Sequence, residues 1–234
     1  MFLTLYFLQQ SIIELIIEPN AKQKAMTITI PFSDACERNK DVILETIKPY
    51  LEQAASLLEV GSGTAQHAIH FSQELSSLQW QTSDQLEYLD GINAALNNAK
   101  AIGHCLDTVE PPIELDVNQA VWIKNGQRFD AIYTANTFHI MSQNDVERFF
   151  SGLPAVTQHG SYLIVYGPFK YQGKYTSESN QNFDASLRSR GVGSAIRDFE
   201  LVNGLAHTQG FDLLVDYAMP ANNQCVVWQR NANG

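Results

Sequence analysis

The sequence predicts an α/β fold: a doubly wound, mostly parallel seven-stranded sheet that ends in an antiparallel C-terminal hairpin. Three observations point there. Short apolar runs of strand length alternate with amphipathic stretches of helix length, the pattern of a parallel sheet covered on both faces. The first of those runs, Ser56–Val60, empties into a glycine turn and then at once into a helical pattern. The last two runs are separated only by residues 218–224, too few for the crossover of a dozen or more residues that a parallel pair needs, so they must pair antiparallel.

The elements follow in order. Residues 35–50 read as a helix, with Val42, Ile43, Ile47 and Tyr50 on one face. Ser56–Val60 is the first strand and Gln66–Glu74 the next helix. A second strand is expected over 78–83, a helix over 86–101, a third strand over 113–117 and a fourth over Phe129–Ala135. Helix 145–155, strand 161–167, a long polar stretch over 168–197, helix 198–208 and strands 211–217 and 225–230 complete the chain. In such a sheet a ligand lies beyond the carboxyl ends of the strands, where the strand order switches.

Composition narrows the function. The 234 residues are 44% hydrophobic and 17% charged, ordinary values for a protein that buries a core, and they exclude a disordered or disulfide-dense chain. The formal net charge of −10 disfavours a general nucleic-acid binder, because phosphate neutralisation needs clustered Lys and Arg. Cys36, Cys105 and Cys225 are scattered, with no partner at metal spacing, and read as reduced thiols of a cytoplasmic protein without a metal site. Residues 1–25 are an apolar N-terminal extension. It lacks the basic start of a signal peptide, and Gln9, Gln10, Ser11 and Glu14 interrupt it, so stable membrane insertion is not expected. It is also the only hint of a homo-oligomer surface. Residues 26–234 read as a single domain.

The sharpest local signal is the turn Gly61-Ser62-Gly63-Thr64-Ala65-Gln66-His67. Gly61 and Gly63 permit a tight turn and close approach of a ligand to the backbone, and the helix that follows offers free N–H groups. A plain strand-to-helix turn reads the same way. A dinucleotide fingerprint would place Gly or Ala at Gln66, which argues against a nicotinamide oxidoreductase. Asp84 ends the second strand, where a carboxylate can accept both hydroxyls of a ribose. Asp116 is expected to close the third strand and Asn136 follows the fourth.

At this point the chain resembles a known family, the class I methyltransferase-like proteins that include methyltransferase-like protein 26. The resemblance runs from about Pro31 to Arg230. It is carried by Phe32-Ser33 with Glu37-Arg38-Asn39-Lys40, by Glu59-Val60-Gly61-Ser62-Gly63-Thr64-Ala65-Gln66-His67-Ala68, and by Trp80-Gln81-Thr82-Ser83-Asp84. Leu115-Asp116-Val117, Ala135-Asn136 with His139-Ile140, and Tyr166-Gly167-Pro168-Phe169 follow. Ser179-Asn180, Phe183-Asp184, Leu187-Arg188, Ile196-Arg197-Asp198 and Met219-Pro220-Ala221-Asn222-Asn223 complete it. Ala65 departs from the Gly common in the family. The resemblance implies a Rossmann-like class I methyltransferase fold and S-adenosylmethionine as cofactor, with S-adenosylhomocysteine as its product. The cofactor set on this reading is Glu59, Gly61, Ser62, Gly63, Thr64, Ala65, His67, Asp84, Asp116, Val117, Ala135 and Asn136.

The acceptor is expected to be a small molecule, an anionic one by the local charge. Residues 168–197 carry Lys170, Lys174, Arg188, Arg190 and Arg197 against Glu178 and Asp184, with aromatics interleaved, and read as a lid over the acceptor site. A solvated excursion is the plainer alternative. Arg38, Asn39, Tyr166, Tyr171, Asn180, Arg188, Arg197 and Asn222 are the acceptor-site candidates, and His139 is the candidate general base. No Asn-Pro-Pro-Tyr-like signature follows the fourth strand, so a non-catalytic S-adenosylmethionine or S-adenosylhomocysteine binder is the competing reading.

Overall fold

Ser33 starts the first helix by accepting a hydrogen bond from the Cys36 amide, and Asp34 and Glu37 sit in the first turn, where the helix dipole favours negative charge. That helix is α1 (Asp34–Leu51). The computed structural model describes residues 30–191 and 193–232, so the apolar segment 1–25 lies outside the described residues. After α1 come β1 (Ser56–Val60), α2 (Gln66–Glu74), β2 (Gln79–Asp84), a single 3-10 turn over Leu86–Tyr88, α3 (Leu89–Ala101), β3 (Val109–Glu114) and β4 (Phe129–Ala135). Then follow α4 (Gln143–Val156), β5 (Thr157–Gly167), β6 (Phe169–Tyr171), β7 (Lys174–Tyr175), α5 (Glu178–Arg188), β8 (Arg197–Asp198), α6 (Phe199–Thr208), β9 (Phe211–Met219) and β10 (Asn223–Arg230).

The main sheet has seven strands in the order β3-β2-β1-β4-β5-β10-β9. The pairs from β3 to β5 are parallel, and β10 is antiparallel to both β5 and β9. This is the fold the sequence predicts. The alternation of strand side chains divides the core in two. Leu57 points to the face covered by α1, α2 and α3, with Ile47, Phe71, Trp80 and Tyr133, while Leu58 points to the opposite face, with Phe149, Phe150, Phe211 and Trp228. Most strands are therefore apolar on both sides, as a doubly covered sheet requires.

Two expectations change. The third strand runs over Val109–Glu114, not 113–117, with Trp80 paired to Val109 and Asp84 to Glu114. Pro111 and Pro112 hid it, because a strand containing proline is tolerated only at an edge, which is where β3 lies. Asp116 consequently lies in the turn beyond the strand. The polar stretch 168–197 is largely ordered: β6 pairs with β7 and β8 in a small second sheet, and α5 packs beside it. Its elements left no apolar period because α5 buries Asn180 and Asp184 together with Leu187.

Helix α4 is fixed at its start by a capping box between Ser142 and Asp145. In its third turn Gly152 lies under Trp122, and a Cβ there would come within 2.3 Å of the indole. Gly152→Ala should therefore destabilise the protein by about 1–3 kcal/mol, read as a lower denaturation midpoint with an unchanged slope. An unchanged midpoint would mean that Trp122 moves aside freely.

Candidate functional site

β1 leaves the sheet through five residues of which three have left-handed backbone: Gly61 at φ 80°, Gly63 at φ 55° and Ala65 at φ 58°. Gly61 is required sterically as well, since a Cβ would come within 2.6 Å of Thr137 Cγ2 in the loop after β4. The space over Gly63 is open, with nothing within 4 Å of an added Cβ. Ala65 adopts the left-handed conformation without glycine's freedom, directly before α2.

This turn is clamped to the end of β2. The amides of Gly61 and Ser62 both donate to the Ser83 carbonyl, at 3.1 and 2.9 Å. The Gly63 amide donates to Asp84 Oδ2 at 2.8 Å, while Oδ1 accepts from the Gln85 amide at 2.8 Å. Burial pushes the Asp84 carboxyl up, and these two backbone bonds pull it back. Each carboxylate oxygen keeps a second lone pair for a ligand hydroxyl. Asp116 Oδ1 accepts from the Asn118 backbone and side chain, so it first shapes its own turn. It also lines a depression of about 390 Å³ with Gln85, Leu86, Glu87 and Glu114, between the ends of β2 and β3. Val117 is buried beside it.

Glu59 lies inside the β1 end, 2% exposed. Its Oε2 accepts from Ser62 Oγ and Trp80 Nε1, both at 2.9 Å, and Oε1 has no partner among the described residues. Burial dominates and raises the carboxyl to about 7. His67, on the first turn of α2, is pushed down to about 3, also by burial, and is neutral. Its Nε2 lies 2.9 Å from Asn39 Oδ1 and its Nδ1 3.2 Å from the Tyr133 hydroxyl. Gln66 has a different task from the one its bulk suggests. Its Oε1 accepts from the Ser33 amide and from Thr64 Oγ1, which ties the start of α1 to the glycine turn.

Past β4, Asn136 at φ 59° donates its amide to the Tyr166 carbonyl and follows the half-buried Ala135. His139 is 8% exposed and packs edge-on against Phe183, with ring centroids 5.2 Å apart. Burial, then the charges of Arg190 and Arg197, lowers it to about 4. Its ring has no hydrogen-bond partner among the described residues.

The acceptor candidates divide. Asn39 and Tyr166 meet beneath α1, and Tyr166 receives a 3.1 Å bond from Asn223. Asn180 Nδ2 donates to the Asn222 carbonyl and Asn222 Nδ2 to Ser179 Oγ, docking α5 on the last hairpin. Arg188 Nε pairs with the buried Asp184 at 2.6 Å, which also accepts from Tyr175 and the Ile196 amide. Arg197 is occupied by the carbonyls of Phe138, Met141 and Gly193, so it holds the loop bearing His139. Arg38 is exposed on α1. Tyr171 bonds Asp216 on β9 and stacks on Phe199, away from the strand ends. Sequence reading passed over Tyr133, and it counted Phe183 and Arg190 in the 168–197 stretch without giving either a role of its own. A tyrosine inside an apolar strand carries no sign that its hydroxyl meets a histidine 66 residues away.

A family model described as "Protein of unknown function (DUF938)" matches residues 30–230. The chain belongs to that family. The sheet of this DUF938 member is similar to that of an O-methyltransferase family protein from Burkholderia thailandensis, with a TM-score of 0.71 and 13% identity over 86% of this chain and 59% of that one. It is also similar to human N-acetylserotonin methyltransferase in complex with S-adenosylmethionine, with a TM-score of 0.67 and 12% identity over 85% and 53%. PigF with S-adenosylhomocysteine gives a TM-score of 0.65 and 11% identity over 84% and 59%. The DUF938 chain thus has a class I methyltransferase-like fold and spans little more than half the length of these structures. Among the described residues no group of three His, Cys, Asp or Glu could hold a metal, and no helix is long and apolar enough to cross a membrane.

The Glu59 environment yields a pH prediction. Its folded value of about 7 stands above the ordinary 4.5, so the native state binds the extra proton between those values. Stability from this residue is complete below pH 4.5 and is lost as pH rises through 7, by at most about 3 kcal/mol. Urea titrations should show the wild type losing stability relative to Glu59→Gln across that window. Parallel curves for the two proteins would show that Glu59 is ionised throughout.

Proposed function

We propose that this protein is an S-adenosylmethionine-dependent methyltransferase acting on a small, anionic acceptor. One observation carries the reading: the open glycine turn whose Gly63 amide is held by Asp84 Oδ2, at the carboxyl ends of adjacent central strands. Asp84 would accept the ribose hydroxyls, and the depression between Leu86 and Asp116 would take the adenine. The α2 N-terminus follows the same turn, and Glu59 Oε2 binds Ser62 within it. The residues therefore fit the cofactor, which when bound supplies a methyl group on a cationic sulfur.

The remaining residues would position the acceptor. Arg188 keeps guanidinium nitrogens beyond the one that binds Asp184, and Arg190 lies close enough to His139 to depress it. A cation beside a buried neutral imidazole suits a carboxylate- or phosphate-bearing acceptor. The neutral imidazole can take a proton from an acceptor hydroxyl, and Phe183 shields it from water. A carboxylate acceptor needs no such base. One feature favours the second reading, a binder without turnover: no carboxylate partners His139 to stabilise its charged form.

Calorimetric titration with S-adenosylmethionine and S-adenosylhomocysteine, with NAD as control, tests the cofactor. Micromolar binding of the first two alone is expected, and absence of both from folded protein overturns the proposal. Asp84→Ala should weaken S-adenosylhomocysteine by about 1–3 kcal/mol, since the ribose hydroxyls lose their acceptor. Undiminished affinity would sink the geometry assigned to Asp84.

A further inference from the structure

Each step between successive parallel strands of the main sheet passes through a helix, α2, α3 or α4, except the step from β3 to β4. There residues 115–128 make the connection without one, and a cavity of about 410 Å³ lies between them and the strands. Its apolar lining comes from Ile113, Val121, Trp122, Ile123 and Phe129, on the α4 face of the sheet. Such a volume over an apolar floor suits a small molecule, and the polar groups that border it decide which one.

The three tryptophans differ at the indole nitrogen. Trp80 Nε1 donates to Glu59 Oε2 and Trp228 Nε1 to Asn203 Oδ1, both at 2.9 Å. Trp122 is 6% exposed and seated against Gly152 of α4, yet its N–H donates to nothing among the described residues. A buried indole N–H ordinarily has an acceptor. Gln81 offers the opposite polarity. Its Nε2 donates to the Thr82 and Pro111 carbonyls, at 3.0 and 2.7 Å, which fixes the orientation of the amide. Its Oε1 is left with no donor among the described residues. Glu114, which accepts from Gln119 at 3.1 Å, and Lys124 give the lining one charge of each sign, so neither an anion nor a cation is favoured.

We propose that this cavity binds a neutral, flat heterocycle of the cyclic-amide class, whose carbonyl oxygen accepts from Trp122 Nε1 and whose N–H donates to Gln81 Oε1. The site is separate from the cleft at the strand ends. Gln81 precedes Asp84 by three residues on β2, and Phe129 precedes Ala135 by six on β4. At the rise of a strand those offsets are about 10 and 20 Å. Glu114, at the end of β3, is the one residue that also lines the depression beside Asp116. The heterocycle is therefore a ligand additional to any cofactor or acceptor, and its binding does not depend on the function proposed above.

Proton–nitrogen NMR titration of the full chain with 2-quinolinone reads the site directly, because each indole N–H gives its own resonance. The Trp122 resonance, identified by its loss in Trp122→Phe, should move downfield as the bond forms, with an apparent Kd of about 1 mM or tighter. The Trp80 and Trp228 resonances, whose N–H groups are already bonded, should stay in place. Naphthalene, a ring system of the same size without the amide, should cause no downfield shift. Gln81→Leu should weaken 2-quinolinone about five- to tenfold, the loss expected for one neutral hydrogen bond. A Trp122 resonance that does not respond, an equal response to naphthalene, or undiminished affinity in Gln81→Leu overturns the assignment. The titration contains no S-adenosylmethionine, so its outcome is independent of the calorimetry that tests the cofactor.

Discussion

Ser83 gives its carbonyl oxygen to two amides of the glycine turn, those of Gly61 and Ser62, and Asp84 takes a third from Gly63. Ser83 Oγ returns a bond to the Glu59 carbonyl at 2.6 Å, and Ser62 Oγ receives the Ser83 amide while donating to Glu59. The turn is thereby an extension of the β1–β2 ladder rather than a free loop. Its shape sets where α2 begins, and α2 in turn carries Gln66 to Ser33 and His67 to Asn39. The start of α1, a long way off in sequence, is located by the same clamp. With the amides of Gly61, Ser62, Gly63 and Ala65 bonded inside the turn, the open space over Gly63 faces a surface that can meet a ligand without rearrangement.

The carboxyl edge of the sheet then has two halves with different chemistry. On the α1–α2 side lie Glu59, bonded to Ser62 and Trp80, and His67, Asn39 and Tyr166, all enclosed, with His67 held neutral. On the other side lie His139, Phe183 and the arginines of the stretch around α5. On the proposed function, such a division would keep a cationic cofactor apart from the guanidinium groups that would attract an anionic acceptor, so that like charges are not forced together in a dry cleft. The segment 168–197 owes its order to Asp184, which is fully buried and accepts from Arg188, Tyr175 and the Ile196 amide. Its carboxyl lies below the ordinary range, because those bonds outweigh the burial that acts against them. A polar pin of this kind replaces the apolar packing that the segment lacks.

Much of the fold was legible because sheet and helix periods write themselves into apolar residues. The strands through Ser56–Val60 and Phe129–Ala135 are short, mostly apolar runs, and the short link between β9 and β10 left no alternative to antiparallel pairing. The two glycines and Asp84 were legible for a related reason, since a tight turn at a strand end limits which residues fit. β3 was misplaced because its prolines mask a strand that survives only at the sheet edge. The structure of 168–197 was hidden because its buried residues are polar.

By itself, the sequence determined the sheet, its reversed last strands, the glycine turn and the acidic residue that faces it, all of which follow from local pattern and chain length. Only the tertiary structure decided which polar groups meet. Arg197 and Arg188 look alike as isolated arginines, yet one is filled by three backbone carbonyls and the other keeps free nitrogens. Asn39, His67 and Tyr133 come from three separate elements and join in one network. The physical reason is that apolar burial is nondirectional and tolerates many neighbours, so composition and period foretell it. A hydrogen bond depends on distance and angle, and those exist only once strands from distant parts of the chain lie side by side.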